Sequence, residues 1–206
     1  MTGTVSYGTA NSYSGSTTIF AGTTLQTATN GISSSANIVD NGTLAINETG
    51  TATLSKVISG SGSLSISGGG TFTLSGANSY SGTTSINAGS VILGTASALG
   101  AGSTIAGNGT TVASGASLDL NGKIVGTEQI SLNGGTILNS NAGAASLSGD
   151  ILLGAASTAD TSNGQVTLSG LVSGAFALSK TGTGTLVLGN AGNSYSGGTN
   201  LNGGTV

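Results

Sequence analysis

Residues 60–94 and 172–206 of this chain repeat one another. The first stretch reads GSGSLSISGGGTFTLSGANSYSGTTSINAGSVILG and the second VSGAFALSKTGTGTLVLGNAGNSYSGGTNLNGGTV. Leu54, Ile58, Leu64 and Leu74 fall opposite Leu168, Val172, Leu178 and Leu188 at a constant offset of 114 residues. One residue is then inserted, and Asn78 falls opposite Asn193 at an offset of 115. A shorter echo, NSYSGSTTIFAGTTL, occupies residues 11–25. A strand–turn–strand phrase that recurs in register marks a stack of similar units rather than a globule built around one site.

The units are made of short alternations. Leu64 and Ile66, Phe72 and Leu74, and Leu118 and Leu120 are each separated by one residue and bounded by Ser, Thr or Asn. Period two with turn residues on both sides predicts strands with one face inward. Hairpin strands would need alternation over about five or six residues; most pairs here span three. The sequence therefore predicts an all-β chain, a parallel β-helix (β-solenoid) of on the order of ten rungs, each about 20 residues long. Leu64, Phe72, Leu74, Leu178, Leu186 and Leu188 are its expected core. Asn78, Gly82, Asn193 and Gly197 are its expected repeat turn, with Gly and Asn able to take left-handed corner positions and Asn able to stack in hydrogen-bonded ladders. The whole chain, 1–206, reads as a single solenoid fragment. Segments 11–25, 52–94 and 166–206 are repeat-like, and related rungs over 95–165 join them.

Composition narrows the function. There are 39 glycines, no Pro, Cys, His or Trp, three lysines and six acidic residues among 206, giving a net charge of −3. Without a basic face, nucleic acid is not an expected partner. No apolar run approaches the about 20 residues of a membrane-spanning helix, so this segment is not expected to insert directly in a membrane. The first residues lack the basic and apolar regions of a signal peptide. Absent His and Cys, imidazole triads and thiol chemistry are impossible, and neither a metal nor a cofactor is expected. A glycosidase would need two facing carboxylates, for which Asp119 with Glu128 and Asp150 with Asp160 are the candidates. Exposed turn positions are the expectation for all six acids, with Asp119 and Lys123 close across a corner. The triplets at Asn41, Asn47 and Asn108 fit the glycosylation pattern, but such matches arise by composition in a chain this rich in Asn and Thr.

The run from Gly60 through Gly68, Gly69 and Gly70, Phe72, Leu74, Asn78, Tyr80 and Gly82 resembles the autotransporter passenger-associated strand repeat. The copy from Leu178 through Lys180, Gly182, Gly184, Leu186, Leu188, Asn193, Tyr195 and Gly197 is closer still. Ile66 stands where the family usually has the lysine kept here as Lys180. The resemblance implies a right-handed parallel β-helix, exported across the outer membrane of a Gram-negative bacterium and displayed on, or shed from, its surface. It also implies a passenger fragment, since the chain starts and stops inside repeat units. The family repeat is structural and brings no catalytic residue.

The expected function is therefore a non-enzymatic structural or adhesive segment: a rigid stalk whose partners are a second copy, end to end or side by side, or a host-cell or matrix surface. Tyr13, Tyr80 and Tyr195 stand at the same place in the repeated phrase. They read either as an aromatic platform for a partner or, with the greater weight, as corner residues whose rings pack on a neighbouring turn while their hydroxyls reach solvent. Two other functions stay open. One is an ice-binding solenoid, suggested by Thr51 with Thr53, Thr71 with Thr73 and Thr183 with Thr185. The other is a carbohydrate-active β-helix.

Overall fold

A computed structural model describes residues 3–102 and 109–206. It holds short strands of two to five residues, with one 3-10 turn at Thr29–Gly31. Neighbouring strands pair in parallel and lie about one turn apart in sequence, as Leu44 with Leu64 and Leu168 with Leu188 show. The chain is thus an all-β solenoid of about ten turns with three faces. The first face is a nine-stranded sheet from Gly3–Tyr7 to Val172–Gly174, and the second is an eight-stranded sheet from Thr51–Leu54 to Thr199–Leu201. The third face is divided. A three-stranded sheet (Thr17–Ile19, Ile38–Asp40, Ile58–Ser59) is separated from a four-stranded one (Ile124–Val125, Ala145–Leu147, Val166–Leu168, Leu186–Leu188).

Alternation explains the packing. On the first face one inward column runs Leu25, Leu44, Leu64, Thr84, Thr110, Ile130, Ile151, Val172. On the second, Phe72, Val91, Leu118 and Ile137 are stacked and buried. Each such side chain contributes about 1.5–3 kcal/mol when fully buried, and none could be buried by its own turn alone. Between the inward columns stand outward ones of small hydroxyl residues. Thr51, Thr71, Ser90, Ser117, Thr136, Thr158 and Ser179 form an unbroken outward column along the second face.

The two long copies of the repeat do not lie on the same faces. Leu64 and Val172 share a first-face column, five pairing steps apart. Val172 is the counterpart of Ile58, which lies one face before Leu64. The second copy is therefore turned by one face about the solenoid axis. As a result the three Asn-Ser-Tyr-Ser-Gly phrases lie on three different faces. Residues 11–15 stack on the 3-10 turn beside the second face, through Asn11 N–H to the Asn30 carbonyl. Residues 78–82 lie in the gap of the third face, with Ser79 N–H bonded to Ile58. Residues 193–197 continue the first face, with Ser194 and Ser196 bonded to Val172 and Gly174.

Of the expected core, Leu64, Phe72, Leu74, Leu178 and Leu186 are buried. Leu188 is half-buried and packs against the core from its margin.

Candidate functional site

The repeated Asn-Ser-Tyr-Ser-Gly phrase is the strongest candidate for a functional element, because it is the polar part of the chain that recurs. Its asparagine stands in for a peptide unit. Asn78 is buried; its Oδ1 accepts the Ile58 N–H of the preceding turn at 2.8 Å, and its Nδ2 donates to the Ala98 carbonyl of the following turn at 2.6 Å. Asn193 repeats the first bond, accepting the Val172 N–H at 2.8 Å, and Asn11 repeats the second, donating to the Gly31 carbonyl at 3.1 Å. An irregular segment can thus replace a strand without leaving buried backbone groups unpaired. The expected ladder of asparagines bonded to one another gives way here to a side chain that bonds backbone on both sides.

The tyrosine points into the solenoid. Tyr80 is 1% exposed, and its hydroxyl meets Thr84 Oγ1 at 2.6 Å. Tyr13 meets Thr17 at 2.5 Å and Tyr195 meets Thr199 at 2.5 Å, each again four residues on. The expectation of a hydroxyl reaching solvent is corrected at Tyr80: a phenol buried beneath the next turn needs an internal partner, and Thr84 is that partner. Burial, with Glu128 and Asp40 adding to it, raises the Tyr80 phenol far above its ordinary range, although the Thr84 bond acts the other way. Tyr13 and Tyr195 are only half-buried, because within the described residues each has a turn on one side alone. Tyr80 has turns on both: Ser81 N–H bonds Gly60 below, and Ala101 N–H bonds the Tyr80 carbonyl from above.

The partner threonines were not singled out from the sequence, yet the signal is there. Each phrase continues as Asn-Ser-Tyr-Ser-Gly-x-Thr, ending at Thr17, Thr84 and Thr199. Thr84 takes a place in an aliphatic column, followed by Thr110, whose Oγ1 donates to Glu128 Oε1 at 2.7 Å. The two hydroxyls interrupt the column where polar groups enter from the corner.

Steric contact accounts for the glycine in two of the three phrases, whereas a Cβ at Gly15 would meet nothing within 4 Å. A Cβ at Gly82 would come within 2.1 Å of the Gly62 carbonyl oxygen, and one at Gly197 within 2.1 Å of the Phe176 carbonyl carbon. Close approach of the preceding turn, not a left-handed conformation, requires glycine at both places.

The acidic residues are spread over the corners. Asp119, expected to be exposed, is 2% exposed and accepts the N–H groups of Asn121 and, from the next turn, Ser140. It does not pair with Lys123, whose Nζ donates to the Asn121 carbonyl. Glu128 and Asp40 are also buried, against expectation. Glu48 accepts from Thr29 and Gly50, Asp150 from Leu171, and Asp160 from Ser162. Asp119 ends a second-face strand while Glu128 precedes a first-face strand; Asp150 and Asp160 likewise flank different faces. Backbone N–H groups and hydroxyls bond these carboxylates, which is the bonding of corner residues, although one oxygen of Asp40 is left without a partner among the described residues. Among the described residues no group of three or more His, Cys, Asp or Glu has a metal-holding arrangement. No helix among them is long and apolar enough to cross a membrane. Asn108 lies outside the described residues, and Asn41 and Asn47 sit at exposed corners.

A model of the passenger-associated-transport-repeat family matches residues 2–27, 64–93 and 178–206. No curated protein and no solved structure matches the chain.

Proposed function

We propose that this chain, an autotransporter passenger-type segment carrying three passenger-associated transport repeats, serves as a rigid non-catalytic spacer on the surface of a Gram-negative cell. The observation that carries the reading is the placing of the repeat. Its polar residues bond one turn to the next on all three faces in turn, so the phrase recurs as a stacking device rather than as a site presented in one direction. A structure built by adding turns is suited to carrying another part of a passenger away from the cell. Its outward Ser and Thr columns, with few charges to repel a neighbour, suit contact with a second copy or with a host-cell or matrix surface.

The test follows from the register. Leu64 pairs with Thr84, so excising residues 64–83 from the parent passenger removes one turn. A spacer tolerates that deletion, keeping surface display and protease resistance, whereas deleting half as many residues breaks every inward column and abolishes both. Loss of a surface activity from a one-turn deletion that still folds and displays would overturn the spacer reading. Sedimentation at rising concentration, and adhesion of beads coated with the chain, test the two contacts.

The ice-binding reading has one observation in its favour. Thr51 stacks on Thr71 and Thr53 on Thr73, forming a double hydroxyl column. The second column then continues with Ile92 and Asp119, so the array lasts two turns. Ice shaping in a thermal-hysteresis assay would favour that reading.

A further inference from the structure

Asp40 closes the strand Ile38–Asp40 at a corner of the third face and is 1% exposed. Its Oδ1 accepts the Gly42 N–H at 2.9 Å, while its Oδ2 is buried with no hydrogen-bond partner. Gly62 of the next turn lies directly over the carboxyl group. A Cβ there would stand 2.3 Å from Oδ1 and 2.7 Å from Oδ2. The Gly62 N–H also donates to the Asp40 carbonyl at 2.7 Å, and Ser63 N–H to the Gly42 carbonyl at 3.0 Å. Two turns are thus clasped around a carboxyl group that has one buried oxygen without a protein hydrogen-bond partner among the described residues.

Among the described residues no cation is set against a negative charge in that place. The strands packed against it, Thr17–Ile19 on one side and Ile58–Ser59 on the other, carry no ionisable side chain, and neither does the corner that follows, through Leu44. The overlying corner, residues 60–63, carries no ionisable side chain either, and the Tyr80 phenol, itself held neutral, feels both the Asp40 and the Glu128 carboxyl groups. An isolated buried charge is costly and is relieved by neutralisation.

We propose that Asp40 is a proton-controlled clasp: its carboxyl group is neutral when the corner is closed, and its ionisation loosens residues 40–43 and 60–63. Burial pushes the carboxyl up to about 6, against the lowering effect of the Gly42 and Leu44 amides. Because the folded value lies above the unfolded one, the stabilisation is fully present below the ordinary carboxylate value. It is lost as pH rises through about 6. The N-terminal turns are therefore the part of the solenoid that acid tightens.

The direct test is a carboxyl-carbon NMR titration of the chain, with Asp40→Asn identifying the resonance. Asp40 is expected to titrate near pH 6, and titration in the ordinary carboxylate range overturns the proposal. Denaturation supplies the second arm. Between about pH 4 and about pH 7 the wild type loses up to about a hundredfold in its folding equilibrium relative to Asp40→Asn, which keeps the acceptor for Gly42. Equal pH dependence of the two overturns it. Hydrogen exchange, corrected for intrinsic rates, is expected to rise at Gly42, Gly62 and Ser63 over the same interval in the wild type. If Asp40→Asn does not fold, the resonance is assigned by selective labelling, and the titration and exchange of the wild type decide.

Discussion

Ile66 and Lys180 hold the same place in the two copies of the repeat, and both side chains point into the solenoid. Ile66 is 2% exposed and Lys180 is fully buried. The lysine is accommodated because its Nζ donates to three carbonyls at a corner: Thr181 and Gly182 at 2.8 Å, and Gly203 of the next turn at 2.9 Å. Burial pushes its ammonium below the ordinary lysine range, and Asp160 acts the other way. Replacing Lys180 with Met keeps the apolar stem but leaves three carbonyls without this donor. Denaturation is expected to show a loss of about 1–3 kcal/mol, and hydrogen exchange should rise first at Gly203–Thr205.

Asn78 and Asn193 are expected to differ in the same substitution. Asn78→Ala strands a donor and an acceptor between buried turns and should cost about 2–4 kcal/mol; Asn193→Ala strands one donor and should cost about 1–2 kcal/mol. Equal costs in urea denaturation would mean that the bond to Ala98 contributes nothing.

The Tyr80 and Thr84 hydroxyls form one unit. Tyr80→Phe and Thr84→Val each remove one member, and the double substitution is expected to cost less than the sum by about 1 kcal/mol. Because the ring is covered, Tyr80→Phe should leave bead adhesion unchanged, which separates packing from a contact role.

A charge at Leu74 should be far more damaging than one at its counterpart. Leu74 has no exposure, so Leu74→Asp puts an unpaired carboxylate into the core and should cost more than about 4 kcal/mol. Leu188 is half-buried, and Asp there can turn toward water at roughly half the cost or less. Thermal melts of the two variants check the order.

How far these features were legible depends on range. Inward Leu64 and Leu74 follow from local alternation, and the pairing of copies follows from a constant offset. The burial of Asp40, Asp119 and Lys180 did not follow, because charged residues are ordinarily exposed. Backbone groups at a corner bond each side chain, Gly42 in the case of Asp40 and, from a neighbouring turn, Ser140 and Gly203 in the cases of Asp119 and Lys180. Groups from a neighbouring turn are about 20 residues away and carry no residue-type signature. The threonine four residues after each tyrosine was legible in principle, since it recurs in all three copies, and its partner role becomes evident once the ring is seen to turn inward.

The sequence alone determined that this chain would stack short parallel strands around an aliphatic core, because period-two alternation and recurring turn residues suffice to specify a turn that only its neighbours can complete. Only the tertiary structure decided which face each repeat occupies and how deeply its residues are buried. Successive first-face positions Leu25, Leu44, Leu64, Thr84 and Thr110 are separated by 19, 20, 20 and 26 residues. Turns of unequal length make a linear offset an unreliable measure of rotation. The second copy arrives one face on, and the same tyrosine is buried at Tyr80, between two turns, and half-buried at Tyr195, which has one adjoining turn among the described residues.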